Sequence, residues 1–447
     1  MCSFIFSAKK ELSPEQLGRA NFYPQFRGPD KTNAVKLSGL MFLHNLLSIT
    51  GEFTTQPFVD DDVICLYNGE IYNYKDFGDY KSDGECLISL YREHSFDFVK
   101  KLDGEFAIVL VDLKQRKVLF STDTFKTKPI FYSSGLGNLG CASYSSGLAG
   151  LGHQNVQKME PNTAKVFDLD LMMEIKTFKV KEFDLNQHKD DFKDWRKAFK
   201  KSIEKRTYNL RERIFIGLSS GYDSGAIACE LIKQDVPFKS YTVMGTEDRG
   251  IIEQRKLKLK ENTEFQELFR HPKELNDAHN YIQKNTEEFK YVTYSNSSDY
   301  NEYYLSLIDD NGANSLSLLC NYAIGDGKKI LLSGMGADEI FSDYGFNGVK
   351  KYNHSNFGGL YPQDLTSIFP WPSFFNSSME SYLAKEEYVA GAYGIETRYP
   401  FLDVDVVQEF LWLKPELKNR YYKSVLHDYL IHFKYERKKH RHNYHHI

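Results

Sequence analysis

The feature that most constrains the fold is a pattern in the second half of the chain, where a short apolar run is followed by a glycine-containing turn and then by helical periodicity. The run Ile214-Phe215-Ile216 ends in Leu218-Ser219-Ser220-Gly221, and the run Ile330-Leu331-Leu332 ends in Ser333-Gly334-Met335-Gly336. Such alternation is typical of a parallel α/β sheet. Because ligands of these sheets bind outside the carboxyl ends of the strands, both turns are candidate binding segments.

The first half of the chain follows a different pattern, in which short apolar runs such as Val63–Tyr67 and Phe106–Val111 recur with turns between them. This spacing favours antiparallel sheets, and residues 84–99 form an exception with helical spacing. Lys and Asp dominate between residues 175 and 192. We therefore predict two domains, covering residues 1–180 and 190–447.

Composition narrows the classes of function. A chain of 447 residues is too long for one ordinary domain. Its 57 basic and 61 acidic residues leave a net charge of −4, which gives no electrostatic argument for nucleic acid or an anionic membrane. The six cysteines include no CxxC pair, which argues against a zinc knuckle and suggests reduced thiols. No segment approaches the ~18 apolar residues of a membrane span. We expect a soluble cytoplasmic protein.

Cys2 is the first chemical candidate, because removal of Met1 would leave a cysteine with a free α-amine. That amine has an ordinary pKa of about 8 and can act as base toward its own thiol. Asn68 and Gly69 follow an apolar strand, and an asparagine amide with a glycine N–H can form an oxyanion hole. The segment Ser82-Asp83-Gly84-Glu85 supplies a carboxylate that can hold an amino-acid ammonium group. The same residue types also form ordinary turns.

The segment Leu218–Ser224 is the second candidate. Backbone N–H groups and serine hydroxyls in a turn before a helix cradle phosphate. Asp223 can hold Mg²⁺ between phosphates, since this ion favours few carboxylates plus phosphate oxygens. Taken alone, the segment could also be an ordinary Ser/Gly turn.

Several motifs together resemble a known family. Arg27–Asp30, Asn68–Asn73, Ser82-Asp83 and Leu102–Ala107 occur in order and at similar spacing in the glutaminase domain of asparagine synthetase and other class II glutamine amidotransferases. In the second half, Leu218–Ser224 resembles the Ser-Gly-Gly-x-Asp-Ser loop of ATP-pyrophosphatases, Ser333–Phe341 resembles the family's Ser-Gly-Glu-Gly-x-Asp-Glu segment, and Tyr393–Asp403 matches a further segment. The motifs run from residue 2 to about 425.

The resemblance implies an α/β protein with an N-terminal Ntn-hydrolase-type αββα sandwich and a C-terminal parallel-sheet ATP-pyrophosphatase domain of the adenine nucleotide alpha hydrolase type. It implies an ATP-dependent amidotransferase, a carbon–nitrogen ligase that hydrolyses glutamine through a thioester at Cys2. Ammonia would pass internally to a carboxylate activated as an acyl-adenylate. The default acceptor is aspartate, and a sugar acid or natural-product acid is the rival. Dimers are common among relatives, so a homodimer is compatible with it.

The resemblance also implies site residues, with ATP and Mg²⁺ as cofactors. The catalytic residues would be Cys2, Asn68, Gly69 and Lys423. The glutamine-binding residues would be Ile49, Asn68, Glu70 and Asp83. Residues that bind ATP would be Leu218, Ser219, Ser220, Gly221, Asp223, Ser224, Val243, Met244, Ser333, Gly334 and Gly336. Asp223 and Asp338 would bind Mg²⁺.

Three positions depart from the family pattern. Leu46 stands where the family has an arginine for the glutamine α-carboxylate, and Arg27 is a candidate substitute. Ser220 replaces a loop glycine, which we expect to leave ATP binding intact. Met335 replaces a glutamate linked to handling of the acyl-adenylate, so the acceptor or the final step can differ from asparagine synthesis.

Two alternatives remain open. One is an adenylating ligase with a weak or inactive glutaminase domain that joins the carboxylate to another amine, as in β-lactam synthetases and lasso-peptide cyclases; Leu46 and Met335 favour it. The other is a non-catalytic scaffold, against which the acidic and lysine residues of the second half argue. The basic, histidine-rich tail from residue 434 is expected to be a solvated terminus, with metal binding by its histidines as the alternative.

Overall fold

The computed structural model describes residues 2–9, 11–135, 137–208, 210, 213–245, 247–294 and 302–436. The histidines at positions 440, 442, 445 and 446 lie outside these residues. The chain divides into two compact units, each made of three segments. The first contains Met1–Asp184, Leu275–Lys329 and Pro370–Arg398, and the second contains Leu185–Glu274, Ile330–Phe369 and Tyr399–Ile447. The division into domains of residues 1–180 and 190–447 stays a prediction.

The N-terminal segment of the first unit is built mainly of strands, as its alternating apolar runs predict. They are β1 (Ser3–Ser7), β2 (Lys31–Leu37), β3 (Leu40–Leu46), β4 (Phe58–Asp60), β5 (Val63–Ile71), β6 (Gly104–Asp112), β7 (Lys117–Thr122), β8 (Phe131–Ser133), β9 (Gly140–Ala142), β10 (Gln157–Lys158), β11 (Thr163–Asp168) and β12 (Met173–Lys179). The helices are α1 (Pro14–Ala20), α2 (Cys86–His94) and α3 (Ser145–Gly150).

These strands form two antiparallel sheets, with the orders β10-β8-β9-β1-β3-β2 and β12-β11-β7-β6-β5-β4. Alternate side chains explain their stacking, because successive residues of a strand face opposite sides. Ile64 and Leu66 of β5 pack with Phe4 and Phe6 of β1 between the sheets. The neighbouring β5 residues, including Cys65, pack against α2 on the other face.

The outer face of the first sheet is covered in the same way. Ile5 of β1 packs with Ala20 of α1 and Leu148 of α3. The layers are therefore helix, sheet, sheet and helix, which confirms the predicted αββα arrangement. Because Cys2 directly precedes β1, this layering fixes where it lies.

The remaining strands are β13 (Ile214–Gly217), β14 (Lys239–Met244), β15 (Glu264–Phe269), β16 (Lys290–Tyr294), β17 (Glu302–Ser306), β18 (Ile330–Leu332), β19 (Gly345–Phe346), β20 (Val349–Lys350) and β21 (Glu396–Arg398). The remaining helices are α4 (Lys193–Thr207), α5 (Tyr222–Lys233), α6 (Arg249–Lys256), α7 (Pro272–Asn285), α8 (Asn311–Gly325), α9 (Ala337–Phe341), α10 (Pro372–Phe375), α11 (Ser378–Ala392), α12 (Val404–Trp412), α13 (Pro415–Lys418) and α14 (Ser424–His432).

The second unit is organised around a parallel sheet, which confirms the α/β prediction. Its strands lie in the order β15-β14-β13-β18, and each neighbouring pair is parallel. Each of β13, β14 and β18 ends at a loop, and α5 and α9 begin just after the loops that follow β13 and β18. Within the described part of the chain, no helix has the length and apolar character that would let it cross a bilayer.

Candidate functional site

The Cys2 thiol is held by the end of strand β3. Its Sγ atom accepts a hydrogen bond from the Leu47 backbone N–H at 3.4 Å and lies 3.8 Å from the Leu47 carbonyl oxygen. Burial raises the pKa of the Cys2 thiol to about 11. The thiol is therefore protonated at neutral pH, and a nucleophilic role requires a nearby base.

A cavity opens beside Cys2. Of the residues that the sequence assigns to glutamine, Ile49, Glu70 and Asp83 line this cavity, together with Gly69. Positions far apart in sequence are thus brought to one place by the pairing of β1 with β3 and by strand β5.

Asn68 and Gly69 lie within β5; Gly69 lines the cavity, whereas Asn68 is not among its lining residues. Gly69 has φ +143°, and a Cβ atom there would lie 1.9 Å from the Glu105 carbonyl oxygen, so only glycine fits. Asn68 is fully buried, and within the described residues neither its Nδ2 nor its Oδ1 has a hydrogen-bond partner. An unpaired buried amide is costly in free energy and calls for a functional reason. It leaves a donor ready for developing negative charge.

Asp83 is anchored from two sides. Its Oδ2 accepts hydrogen bonds from the Tyr67 hydroxyl and from the Ile71 backbone N–H, the latter at 2.8 Å. Burial raises the pKa of the Asp83 carboxyl to about 6, although both hydrogen bonds oppose the rise. At pH 7 and above the group is mainly a carboxylate, as binding of an ammonium requires.

Glu70 is held by a buried ion pair that the sequence did not predict. Its Oε1 lies 2.8 Å from the Arg398 guanidinium and accepts a hydrogen bond from the Thr50 hydroxyl at 2.9 Å. Arg398 also donates to Glu396 at 2.7 Å. Burial opposes ionisation of Glu396, but Arg398 and Lys128 hold the pKa of that carboxyl well below its usual range. Arg398 lies within the Tyr393–Asp403 motif, but the motif by itself does not indicate which groups the guanidinium contacts.

Arg27 does not act as a substitute for the missing arginine. Its side chain is fully buried. Its guanidinium donates to the Cys2 carbonyl at 3.1 Å, to the Tyr144 hydroxyl at 3.1 Å and to the Glu387 carboxylate at 2.7 Å. The donors are committed to protein atoms, so Arg27 orients the Cys2 backbone instead of facing the cavity. Leu46, by contrast, lines the cavity.

In the second unit, the predicted ATP residues gather at the carboxyl ends of three adjacent strands. Leu218–Ser224 follows β13, Val243 and Met244 end β14, and Ser333–Gly336 follows β18. Gly334 allows close approach, since a Cβ atom there would lie 2.9 Å from the Asp223 Cβ. Gly336 has φ +90°, which favours glycine at the start of α9.

The loop before α5 is ordered by its own hydroxyl groups. Ser219 accepts a hydrogen bond from the Gly221 N–H at 3.1 Å, and the Ser219 and Ser224 hydroxyls lie 2.8 Å apart. The Arg255 guanidinium donates to the Ser219 and Gly221 carbonyls. The loop thus combines serine hydroxyls, a helix N-terminus and the buried cation of Arg255. Hydroxyl and N–H donors at a helix N-terminus are groups that phosphate can use.

Ser220 makes a contact that a glycine could not make. Its backbone N–H and its hydroxyl both donate to the Glu247 carboxylate, at 2.5 and 2.6 Å. The Ser220 hydroxyl also accepts a hydrogen bond from the Asp248 N–H at 3.2 Å. The sequence around Glu247 gives no indication of this contact with the loop.

Lys423 joins the two predicted magnesium ligands. Its Nζ lies 2.7 Å from Asp223 and 2.7 Å from Asp338, and the side chain is 4% exposed. Although burial opposes the charged form, the two carboxylates hold the pKa of Lys423 well above its usual range. Burial raises the pKa of Asp223 to about 6 despite the opposing effect of Lys423. The lysine precedes α14 and is not a solvated helix residue.

The donor set is compatible with magnesium bound together with phosphate. Among the described residues, no group of three or more His, Cys, Asp or Glu side chains forms a preformed metal cage. Magnesium is commonly held by one or two carboxylates plus substrate phosphates, which is what Asp223 and Asp338 can offer. When bound there, the ion would neutralise phosphate charge, and Lys423 would share the carboxylates with it.

Met335 lies within the loop between β18 and α9 and brings no acid or base. It is partly buried, and its backbone N–H donates to the Ser333 hydroxyl at 3.1 Å. The adjacent acid, Glu339, is buried and bonded to the Tyr344 hydroxyl and the Gly336 N–H. Burial raises the pKa of Glu339 to about 7.

Comparison with known proteins gives matches to two domain families. Residues 1–183 match the model of a glutamine amidotransferase domain, and residues 194–374 match the model of asparagine synthase. A putative glutamine-hydrolysing asparagine synthetase of Methanocaldococcus jannaschii is 26% identical over 432 residues, covering 89% of this chain and 73% of the relative.

The chain thus carries a glutamine amidotransferase domain followed by an asparagine synthase domain. Two further relatives are similar over most of the chain. A probable glutamine-hydrolysing asparagine synthetase of Schizosaccharomyces pombe is 26% identical over 425 residues, covering 88% of this chain and 72% of the relative. The glutamine-hydrolysing asparagine synthetase of Homo sapiens is 24% identical over 450 residues, covering 88% and 73%. The two domain matches and these relatives support an asparagine synthetase-like amidotransferase of the carbon–nitrogen ligase class.

Proposed function

We propose that the chain is an ATP-dependent amidotransferase that releases ammonia from a glutamine side chain at Cys2 and uses it to amidate an adenylated carboxylate, with aspartate as the default acceptor. The observation that supports it most is the convergence on one lysine: Lys423 contacts both Asp223 and Asp338 at 2.7 Å, although these residues are widely separated in sequence. A scaffold without catalysis has no need for a buried lysine held between two partly buried carboxylates, because burying charge is costly in free energy.

The proposed first reaction is hydrolysis of the carboxamide. With Met1 removed, the Cys2 α-amine takes the thiol proton and the sulfur attacks the amide carbon. The Asn68 amide and the Gly69 N–H stabilise the oxyanion, ammonia leaves, and water cleaves the thioester to give the carboxylic acid. Asp83 holds the substrate ammonium.

The proposed second reaction takes place at the strand ends of the second unit. A carboxylate oxygen attacks the α-phosphorus of ATP, and pyrophosphate leaves. The loop of Ser219, Gly221 and Ser224 holds phosphate oxygens, and Lys423 offsets developing negative charge. Ammonia then attacks the acyl carbon, and AMP leaves. The aspartate acceptor follows the names of the relatives.

A second candidate function is supported by Met335. A thioether neither accepts nor donates a proton at the acyl-adenylate. The nucleophile that attacks the acyl carbon can therefore be an amine other than ammonia. In that case the adenylating half would work while the Cys2 half contributes little.

The proposal is tested by two assays on the full chain. Pyrophosphate release from ATP is measured across a panel of carboxylic acids, with aspartate first; activity with another acid alone would replace the aspartate assignment. Ammonia release is measured for wild type and Cys2→Ala, and we expect the variant to lose at least about 1,000-fold. Cys229→Ala, at a buried cysteine in the second unit, is the matched control. Equal release by wild type and Cys2→Ala would overturn the glutaminase half.

A further inference from the structure

The side chains around the Cys2 cavity carry an unusual balance of charge for a site that takes an amino acid. Four carboxylates line it: Glu52, Glu70, Asp83 and Glu396. Among the described residues, no lysine or arginine side chain lines it. Free glutamine carries an α-ammonium and an α-carboxylate, so only one of its two charges is matched here.

The nearby cations are turned away from the cavity or lie at its rim. The Arg398 residue is 1% exposed, and its guanidinium pairs with Glu70 and Glu396. Lys81 lies 3.5 Å from Glu52, and both side chains are mostly exposed, so solvent screens that pair. Neither cation provides the buried, bidentate contact that a carboxylate prefers.

The position next to the nucleophile is apolar. Leu46 lines the cavity and its residue is 7% exposed. A carboxylate placed against this side chain loses water without gaining a donor, and that loss is costly in free energy. An uncharged amide or peptide group at the same place loses far less.

From this charge pattern we propose that the Cys2 site selects side-chain carboxamides of glutamine derivatives whose α-amine is free and whose α-carboxyl is uncharged, as in a glutaminyl amide or the N-terminal glutamine of a peptide. Free glutamine is then a donor of lower kcat/KM. The inference rests on the proposed function of Cys2 and names the substrate class of the same site.

The test compares free L-glutamine with L-glutaminamide. Side-chain hydrolysis of glutaminamide yields ammonia and isoglutamine, which is separated chromatographically from glutamine, the product of attack at the α-amide. We expect kcat/KM for glutaminamide to exceed that for glutamine by about tenfold or more. Leu46→Arg should reverse the preference, whereas Leu46→Met, which keeps an apolar side chain of similar size, should keep it.

A second variant covers the outcome in which an arginine at the buried position prevents folding. Glu52→Gln removes one rim charge and should raise kcat/KM for glutamine by a few-fold without raising it for glutaminamide. Glu93→Gln, at a comparably exposed glutamate outside the cavity lining, is the control. A wild-type preference for free glutamine would overturn this inference alone. No Cys2-dependent ammonia from either donor would overturn the proposed function and the inference together.

Discussion

The two candidate sites place their cations differently. At the Cys2 cavity, Arg398 is drawn behind the acidic groups, and the cavity itself is lined by carboxylates. At the strand ends of the second unit, Lys423 stands between the carboxylates of Asp223 and Asp338. The first arrangement suits a neutral amide attached to an ammonium. The second suits polyphosphate, whose charge needs a cation at the centre. One chain thus builds two electrostatic environments from the same residue types.

The largest effect is expected when the central cation is removed. Lys423→Met should reduce ATP–pyrophosphate exchange by about 100- to 1,000-fold, because developing phosphate charge loses its partner. Lys423→Arg should retain part of the activity. Lys418 is the control, because it is equally buried but contacts the Gln187 side chain and the Leu411 carbonyl instead of a carboxylate. If Lys418→Met lowers exchange as much as Lys423→Met does, the central role of Lys423 is wrong.

Two buried asparagines separate catalysis from stability at the first site. The Asn68 amide has no hydrogen-bond partner in the part of the chain that the structure describes, whereas the Asn45 side chain bonds to Ser3, Asn21 and Thr32. Asn68→Ala should lower kcat for ammonia release by about 100-fold or more and cost little free energy of unfolding. Asn45→Ala should instead lower the free energy of unfolding by about 1–3 kcal/mol. Steady-state kinetics and denaturant titration measure both, and the opposite pattern would remove Asn68 from the oxyanion hole.

The pH dependence of substrate binding should report Asp83. Its pKa is raised to about 6, so the carboxylate that holds an ammonium is present above pH 6 and is lost as the pH falls below it. In the Cys2→Ala background, affinity for glutaminamide should fall about tenfold between pH 7 and pH 5. Asp83→Asn should flatten this step.

The control for that experiment is Asp123. Burial raises its pKa to about 6 as well, but it bonds to Thr127 and the Phe106 backbone N–H and does not line the cavity. Asp123→Asn should leave the step in place. Calorimetric titration across the pH range distinguishes the two, and a step unchanged in Asp83→Asn would show that another group controls binding.

The smallest effect is expected at the phosphate loop. The Glu247 carboxylate accepts hydrogen bonds from the Ser220 N–H and hydroxyl. A bound phosphate would use the same two donors. Glu247→Gln should therefore lower the KM for ATP by about two- to tenfold, since a neutral amide competes less well for these donors. Glu253→Gln, on the exposed face of α6, should leave the KM unchanged. A higher KM in Glu247→Gln would mean that Glu247 supports the loop for ATP instead.

The sequence by itself determined the order of the secondary structure and the local motifs. Short apolar runs separated by turns predict the antiparallel sheets, and apolar runs with glycine turns predict the parallel sheet, because both signals depend on neighbours in the chain.

Only the tertiary structure decided the partners of the charged groups. Arg27 pairs with Glu387, Arg398 pairs with Glu70, and Lys423 pairs with Asp223. The two residues of each pair are hundreds of positions apart in the sequence. No local pattern encodes such pairs, because their energy depends on which groups lose water together when the chain packs. The same packing places Leu46 on the cavity wall and leaves the Asn68 amide without a hydrogen-bond partner among the described residues. The motifs therefore indicate the two domain families, and the fold decides which charges each site presents.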